Sequence, residues 1–443
     1  MVAALPKFLA RPAGRIAFGS LVFGALLIGA TPAAAVDTPW YVDVLGLESG
    51  AAEDFTGEGV TIAVIDGQIN PEVPTLVGAD LDIREPSFCF DGAGSSVPAT
   101  SSELSATKPT DHGTNVVSTI VGSGAGYDGQ NGVPGVAPAA KILYYSVYTS
   151  RDGDGEIECL DDRGISKDFL GEAMGEAIAD GADIISVSLD MAAGTAFVEA
   201  MSKAAREGIL VLGGLPNSSD ITLSGGMPAD ANGAISVQAA SADGQIQTTD
   251  GEPNRNPTTD IVAPGLGITV QGNPATGQWS DQFLADGTSL ATPITAGIIA
   301  LAMEKYPEAT GNQMIQSLIS NTGDAPGVPQ AYDPNELIGY GLVSVENLMA
   351  DDPTKYDDVN PLILEVAPDR GVFIPTYDEI FPPESADPGP SDNAGAPDEA
   401  ETPSGISGWV WVVIGSALAL VLIAAGVAIV LLRKRRASSR TIH

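Results

Sequence analysis

An α/β domain built on a mainly parallel sheet is the fold class this 443-residue chain predicts, on three observations. Strand-like and helix-like stretches alternate from Val60 to Ala302, as they do where crossover helices join parallel strands. The strand-like stretches are continuous apolar runs rich in Val and Ile, which strands covered on both faces require. A long, mostly apolar helix over Thr288–Tyr306 follows the series and stops at Pro307, where the ring forbids continuation.

Val60–Ile65 (VTIAVI) is the first strand and Ile142–Val147 the second. Phe169–Ala179 has apolar residues at helical spacing and leads into the strand Ile184–Ser188. A second such helix, Ala196–Arg206, leads into Gly208–Gly213. Ala234–Gln238 and Asp260–Ala263 complete the strands.

The ends of the chain have a different character. Residues 1–35 carry Lys7, Arg11 and Arg15, then the uncharged run Ile16–Ala30, then Ala33-Ala34-Ala35, which is the order of a cleavable secretory signal. Residues 351–405 are rich in Asp, Glu, Pro and Ser and are expected to form an extended linker. Within 406–432, the stretch Trp409–Leu432 holds no charge, and 24 helical residues span about 36 Å, enough to cross a bilayer. The basic tail 433–443 begins Arg433-Lys434-Arg435-Arg436 and belongs on the cytoplasmic side. The expected layout is a domain over 36–350, outside the cell membrane and held to it by one C-terminal helix.

The formal charge is −37. Of 20 basic residues, three precede Val36 and five follow Leu432, so the intervening segment sets 12 against all 57 acidic residues. Such a surface excludes nucleic acid as a partner, because phosphates need cations. Cys89 and Cys159 are the two cysteines, and an even pair in an oxidising compartment predicts one disulfide, with two buried thiols as the alternative.

Histidine is the sharpest constraint. Of the two present, His443 ends the cytoplasmic tail, so histidine chemistry outside must use His112, in Asp111-His112-Gly113-Thr114. Val64-Ile65-Asp66-Gly67 puts a carboxylate at the C-terminal end of the first strand, the edge where open parallel sheets assemble sites. Gly287-Thr288-Ser289-Leu290-Ala291-Thr292-Pro293 puts a serine in the first turn of the long helix, where the dipole favours developing negative charge.

In that order these segments resemble the three active-site motifs of the subtilase family, over about Trp40 to Met349. The chain order Asp, His, Ser is that of subtilisin, itself a worked case of this chemistry. The resemblance implies a subtilisin-like three-layer fold and a serine endopeptidase that acts on polypeptides without a cofactor. It also implies roles. Asp66, His112 and Ser289 would be the catalytic triad, and Asn217, at the end of Gly208–Asn217, the oxyanion-hole donor. Ser186, Ser188 and Leu189 would line the substrate-binding pocket.

Three positions depart from the family pattern. Gly67-Gln68 replaces a hydroxyl residue and a glycine after the aspartate, Asp190-Met191 replaces glycines after Leu189, and Pro216 precedes Asn217 in place of glycine. They leave open a weakly active scaffold serving a membrane complex. Signal, catalytic domain, acidic linker, anchor helix and basic tail together resemble mycosins, the membrane-anchored subtilases of type VII secretion, which implies secretion-system components as partners. Asp152–Glu156 mimics the start of a calcium loop, but Ile157 and Arg163 stand where a glycine and a glutamate are needed, so a solvated acidic loop is expected and no metal.

Overall fold

Seven strands form the central sheet: β1 (Thr61–Asp66), β2 (Leu81–Ile83), β3 (Lys141–Ser146), β4 (Ile184–Val187), β5 (Leu210–Gly214), β6 (Ile235–Ala240) and β7 (Ile261–Pro264). The computed structural model describes residues 39–383, except 49, 149, 152–156, 219–225, 334, 336 and 368–373. The strand order is β7-β6-β5-β4-β1-β3-β2, and every neighbouring pair is parallel. From β1 the chain passes to the edge strand β2 and comes back to β3, which lies between them. It then returns to the other side with β4, so the order reverses at β1. Crevices at such a reversal, beyond the strands' C-terminal ends, are where open sheets bind ligands.

Alternation along each strand explains the three layers. Ile62 and Val64 of β1, with Ile142, Tyr144 and Ile184, join a core shared with α2 (Thr110–Val121) and α5 (Thr288–Lys305). Ala63 and Ile65, with Leu143, Tyr145, Ile185 and Val187, join a second core under α3 (Phe169–Ala179) and α4 (Thr195–Glu207). Both faces are thus buried, which is why the strands are uniformly apolar in sequence.

The short helix α1 (Trp40–Val44) is fastened to this body. Tyr41 is fully buried and its hydroxyl donates to the Pro134 carbonyl, while the Trp40 indole donates to the Leu266 carbonyl at 3.1 Å. An antiparallel hairpin, β8 (Ile268–Asn273) with β9 (Gln278–Ala285), leads into α5. Then come α6 (Gly311–Ser320), opened by a Thr310/Gln313 capping box, and α7 (Val345–Ala350).

The domain does not end at residue 350. The expected linker from residue 351 instead packs on the domain as far as Pro383. Asn232 donates from its side chain to the Leu364 and Pro375 carbonyls, both at 3.1 Å, and accepts from the Leu364 N–H at 2.8 Å. Ile380, in α8 (Tyr377–Ile380), is fully buried, and Arg206 of α4 donates to its carbonyl at 2.8 Å. The acidic, proline-rich composition concealed a few apolar residues that find places on an existing surface. The expected signal, the remainder of the linker, the membrane helix and the tail lie outside the described residues. Among the described residues no helix is long and apolar enough to cross a membrane.

Cys89 and Cys159 form a disulfide that closes 70 residues and ties the β2–α2 connection to the loop after β3. A cavity of about 690 Å³ opens beside it, between Gln68, Lys108 and Cys159.

Candidate active site

Asp66 is the last residue of β1 and is fully buried. Its Oδ1 accepts from the Gly67 N–H at 2.7 Å and lies 2.8 Å from Nδ1 of His112. His112 sits in the first turn of α2 with 23% of its side chain exposed, so its Nδ1 edge is held while the ring stays partly open to solvent. Gly113 is required beside it, because a Cβ there would collide with the Tyr144 hydroxyl and stand 2.9 Å from the Gln68 carbonyl.

Gly67 has a structural cause as well. A Cβ at this position would meet the Tyr148 ring, with Cε1 at 2.7 Å and the hydroxyl oxygen at 2.8 Å. Tyr148 is buried and fills the place where a hydroxyl side chain would stand. Tyr144, whose phenol burial pushes well above its ordinary value, stays neutral and donates to the Gly67 carbonyl at 2.8 Å. Asp66 Oδ2, also buried, has no hydrogen-bond partner among the described residues. Asp111, beside His112, is buried too, and that burial raises its carboxyl above the usual range against the opposing pull of His112.

Ser289 occupies the first turn of α5. Pro293, four residues on, has no N–H for the Ser289 carbonyl. Ser188 supplies the missing donor, its hydroxyl lying 3.0 Å from that carbonyl, and the Ser289 hydroxyl donates back to the Ser188 carbonyl at 3.2 Å. β1 and β4 pair Val64 with Ser186 and Ile65 with Val187, so this register carries Asp66 and Ser188 to the same sheet edge.

Asn217 is exposed on the loop after β5. Its Oδ1 accepts from the Thr288 N–H at 3.0 Å and from the Thr288 hydroxyl at 3.3 Å, while that hydroxyl also lies 2.6 Å from the Leu215 carbonyl. Pro216 therefore leaves Asn217 anchored to the start of α5. A Cβ on Gly287 would stand 3.6 Å from Asn217 Oδ1, 3.7 Å from Asn217 Nδ2 and 3.7 Å from the Ser289 nitrogen, so Gly287 lies between the Asn217 amide and the Ser289 N–H.

Ser186 is a correction. It lies in the middle of β4 with no exposed surface, so it cannot touch a substrate. Ser188 and Leu189 are each 5% exposed, and Ser188 serves chiefly to complete α5. Sequence reasoning missed Thr288 and Tyr148 as supports. Thr288 stands next to the serine in its motif, while nothing near Tyr148 in sequence points to Gly67. Asp152–Glu156 lies outside the described residues, and among those described no group of three or more His, Cys, Asp or Glu could hold a metal ion.

The sequence profile of the subtilase family matches residues 57–341. The chain is 31% identical over 311 residues to alkaline elastase YaB of a Bacillus species, covering 70% of this chain and 69% of the relative. It is 29% identical over 311 residues to a thermostable alkaline protease of Halalkalibacterium halodurans, covering 69% and 72%. Subtilisin E of Bacillus subtilis is 28% identical over 315 residues, covering 70% and 71%. The same fold occurs in fervidolysin from Fervidobacterium pennivorans, with a TM-score of 0.51 at 23% identity over 70% of this chain and 45% of that one.

Proposed function

Since the chain belongs to the subtilase family of serine endopeptidases, we propose that Asp66, His112 and Ser289 are its catalytic triad and that it cleaves extracytoplasmic polypeptides while held at the cell membrane. The observation that carries the triad is the 2.8 Å contact between buried Asp66 and His112, at the sheet edge shared with Ser289.

The Ser289 hydroxyl leaves the Ser188 carbonyl and attacks the scissile carbonyl carbon, passing its proton to Nε2 of His112. Asp66 holds the Nδ1–H edge and stabilises the imidazolium. Asn217 Nδ2 and the Ser289 N–H receive the oxyanion, with the Asn217 amide already turned by Thr288. Collapse breaks the C–N bond, and the leaving amine takes the proton from His112. Water, deprotonated by the same histidine, then attacks the acyl-enzyme and restores Ser289.

The uncharged stretch Trp409–Leu432 and the basic tail support a single membrane anchor, and residues 1–35 support export. The layout supports a place beside type VII secretion components. One observation favours a weakly active scaffold instead: Asp66 Oδ2 has no hydrogen-bond partner among the described residues. Hydrolysis of an unfolded protein by membranes carrying the full chain, absent with Ser289→Ala, is the expected result. Equal hydrolysis by both, or activity that leaves the membrane in alkaline carbonate, contradicts the corresponding part of the proposal.

A further inference from the structure

Two loops clasp the chain just after Asp66. On one side, Val147, next after β3, donates its N–H to the Asp66 carbonyl at 2.8 Å, and the buried Tyr148 ring lies against Gly67. On the other side runs the β2–α2 connection. Gln68 Nε2 donates to the Pro98 carbonyl at 2.9 Å, Ile69 N–H to the Ala99 carbonyl at 3.0 Å, and Ser101 N–H to the Ile69 carbonyl at 2.9 Å. The same connection doubles back, so that Val97 N–H donates to the Cys89 carbonyl at 2.9 Å. Cys89 is therefore anchored directly behind the residues that hold Gln68 and Ile69. Cys159 lies further along the loop that carries Tyr148, and the Cys89–Cys159 bond closes the clasp.

Asp66 depends on this clasp more than a fully hydrogen-bonded carboxylate would. Oδ1 serves both Gly67 and His112, while Oδ2 accepts nothing among the described residues, so the aim of the carboxylate follows the backbone of residues 66–69. Between the two loops, hydrogen bonds from Phe88 N–H to the Ser146 carbonyl at 2.9 Å and from Phe90 N–H to the Leu160 carbonyl at 2.8 Å flank the disulfide. Leu160 is exposed and Phe90 is half-buried, so the outer of these bonds competes with water and the covalent link does not. Cys159 lines the cavity of about 690 Å³ beside Gln68, which gives a small dithiol an approach to the bond.

We propose that Cys89 and Cys159 are a positioning pair: their bond holds the Asp66 carboxylate on His112, and its reduction slows turnover in a chain that stays folded. A dithiol supplies the two electrons and two protons, leaving two cysteine thiols and its own cyclic disulfide. The reading of Asp66, His112 and Ser289 as the triad underlies this role.

The test uses the full chain beside Cys89→Ser with Cys159→Ser, each also in an Asp66→Ala background. Turnover of a peptide substrate and the rate of Ser289 labelling by a fluorophosphonate are measured, with Tm read on the same samples. Losing the bond should lower kcat and the labelling rate about 10-fold with KM nearly unchanged, the scale of a sub-ångström misplacement of a catalytic group. In the Asp66→Ala background, removing both cysteines should change the residual labelling by less than about twofold, because the pair acts through that carboxylate. Wild-type chain treated with dithiothreitol should match the double serine variant and recover when re-oxidised. Unchanged kcat overturns the role, as does an equal loss without Asp66, which marks a merely structural staple. Loss of the folding transition on reduction overturns it too. A wild-type chain that takes no fluorophosphonate overturns the peptidase reading itself, and this role with it.

Discussion

The two halves of the site are braced in different ways. On the nucleophile side, hydrogen bonds supply the support: Ser188 holds the Ser289 carbonyl, Thr288 holds Asn217, and Leu215 holds Thr288. On the aspartate side, packing replaces hydrogen bonding. Asp66 uses Oδ1 for both Gly67 and His112, Oδ2 accepts nothing among the described residues, and the Tyr148 ring presses on Gly67. Donors fix one half, and the shape of a buried aromatic fixes the other. Their responses to substitution should differ in kind.

The largest effect expected, short of removing the triad, is on the donor side. Asn217→Ala should lower kcat about 10²–10³-fold with KM nearly unchanged, because the amide acts when the oxyanion forms. A loss confined to KM would show that Asn217 merely binds substrate. Next comes the packed side. Gly67→Ser restores a hydroxyl beside Asp66 yet should destabilise by about 1–3 kcal/mol, since the side chain overlaps Tyr148. In a Tyr148→Ala background the same change should cost much less, and additive losses in denaturant unfolding would contradict the overlap.

Ser188→Ala should destabilise by about 1–2 kcal/mol, the cost of leaving the Ser289 carbonyl without a donor above Pro293. Thermal unfolding reads it, and no change would mean another group satisfies that carbonyl. The smallest effect concerns Asp111. Burial raises its carboxyl, so the native state binds this proton more tightly than the unfolded chain, whose value is near 3.8. Its contribution to stability therefore falls as pH rises from 3.8 through the native value. Asp111→Asn should raise Tm at pH 7 and leave it unchanged near pH 3. The opposite trend would show a carboxylate stabilised in place.

Much of this architecture was legible from residues alone. The strands were found because burial on both faces demands continuous apolar runs, and β1, β3 and β4 lie within a residue of the expected stretches. The triad candidates were found because one histidine outside the tail leaves little choice. Leu81–Ile83 was not found, being three residues at the sheet's edge, nor was the polar, half-exposed strand β9. The packed segment after residue 350 was hidden by its charge and prolines. Contacts between distant residues, such as Tyr148 with Gly67 and Asp190 with Gly226, depend on how loops meet above the sheet and leave no periodic trace.

The central claim is that one hydroxyl, on Ser289, is made nucleophilic by His112. Treating the full chain with a fluorophosphonate and locating the adduct by peptide mass spectrometry tests it most directly, with His112→Ala alongside. The account predicts a single adduct on Ser289 in the wild-type chain and none in the variant. An adduct on another residue, or equal labelling of Ser289 without the histidine, would contradict it.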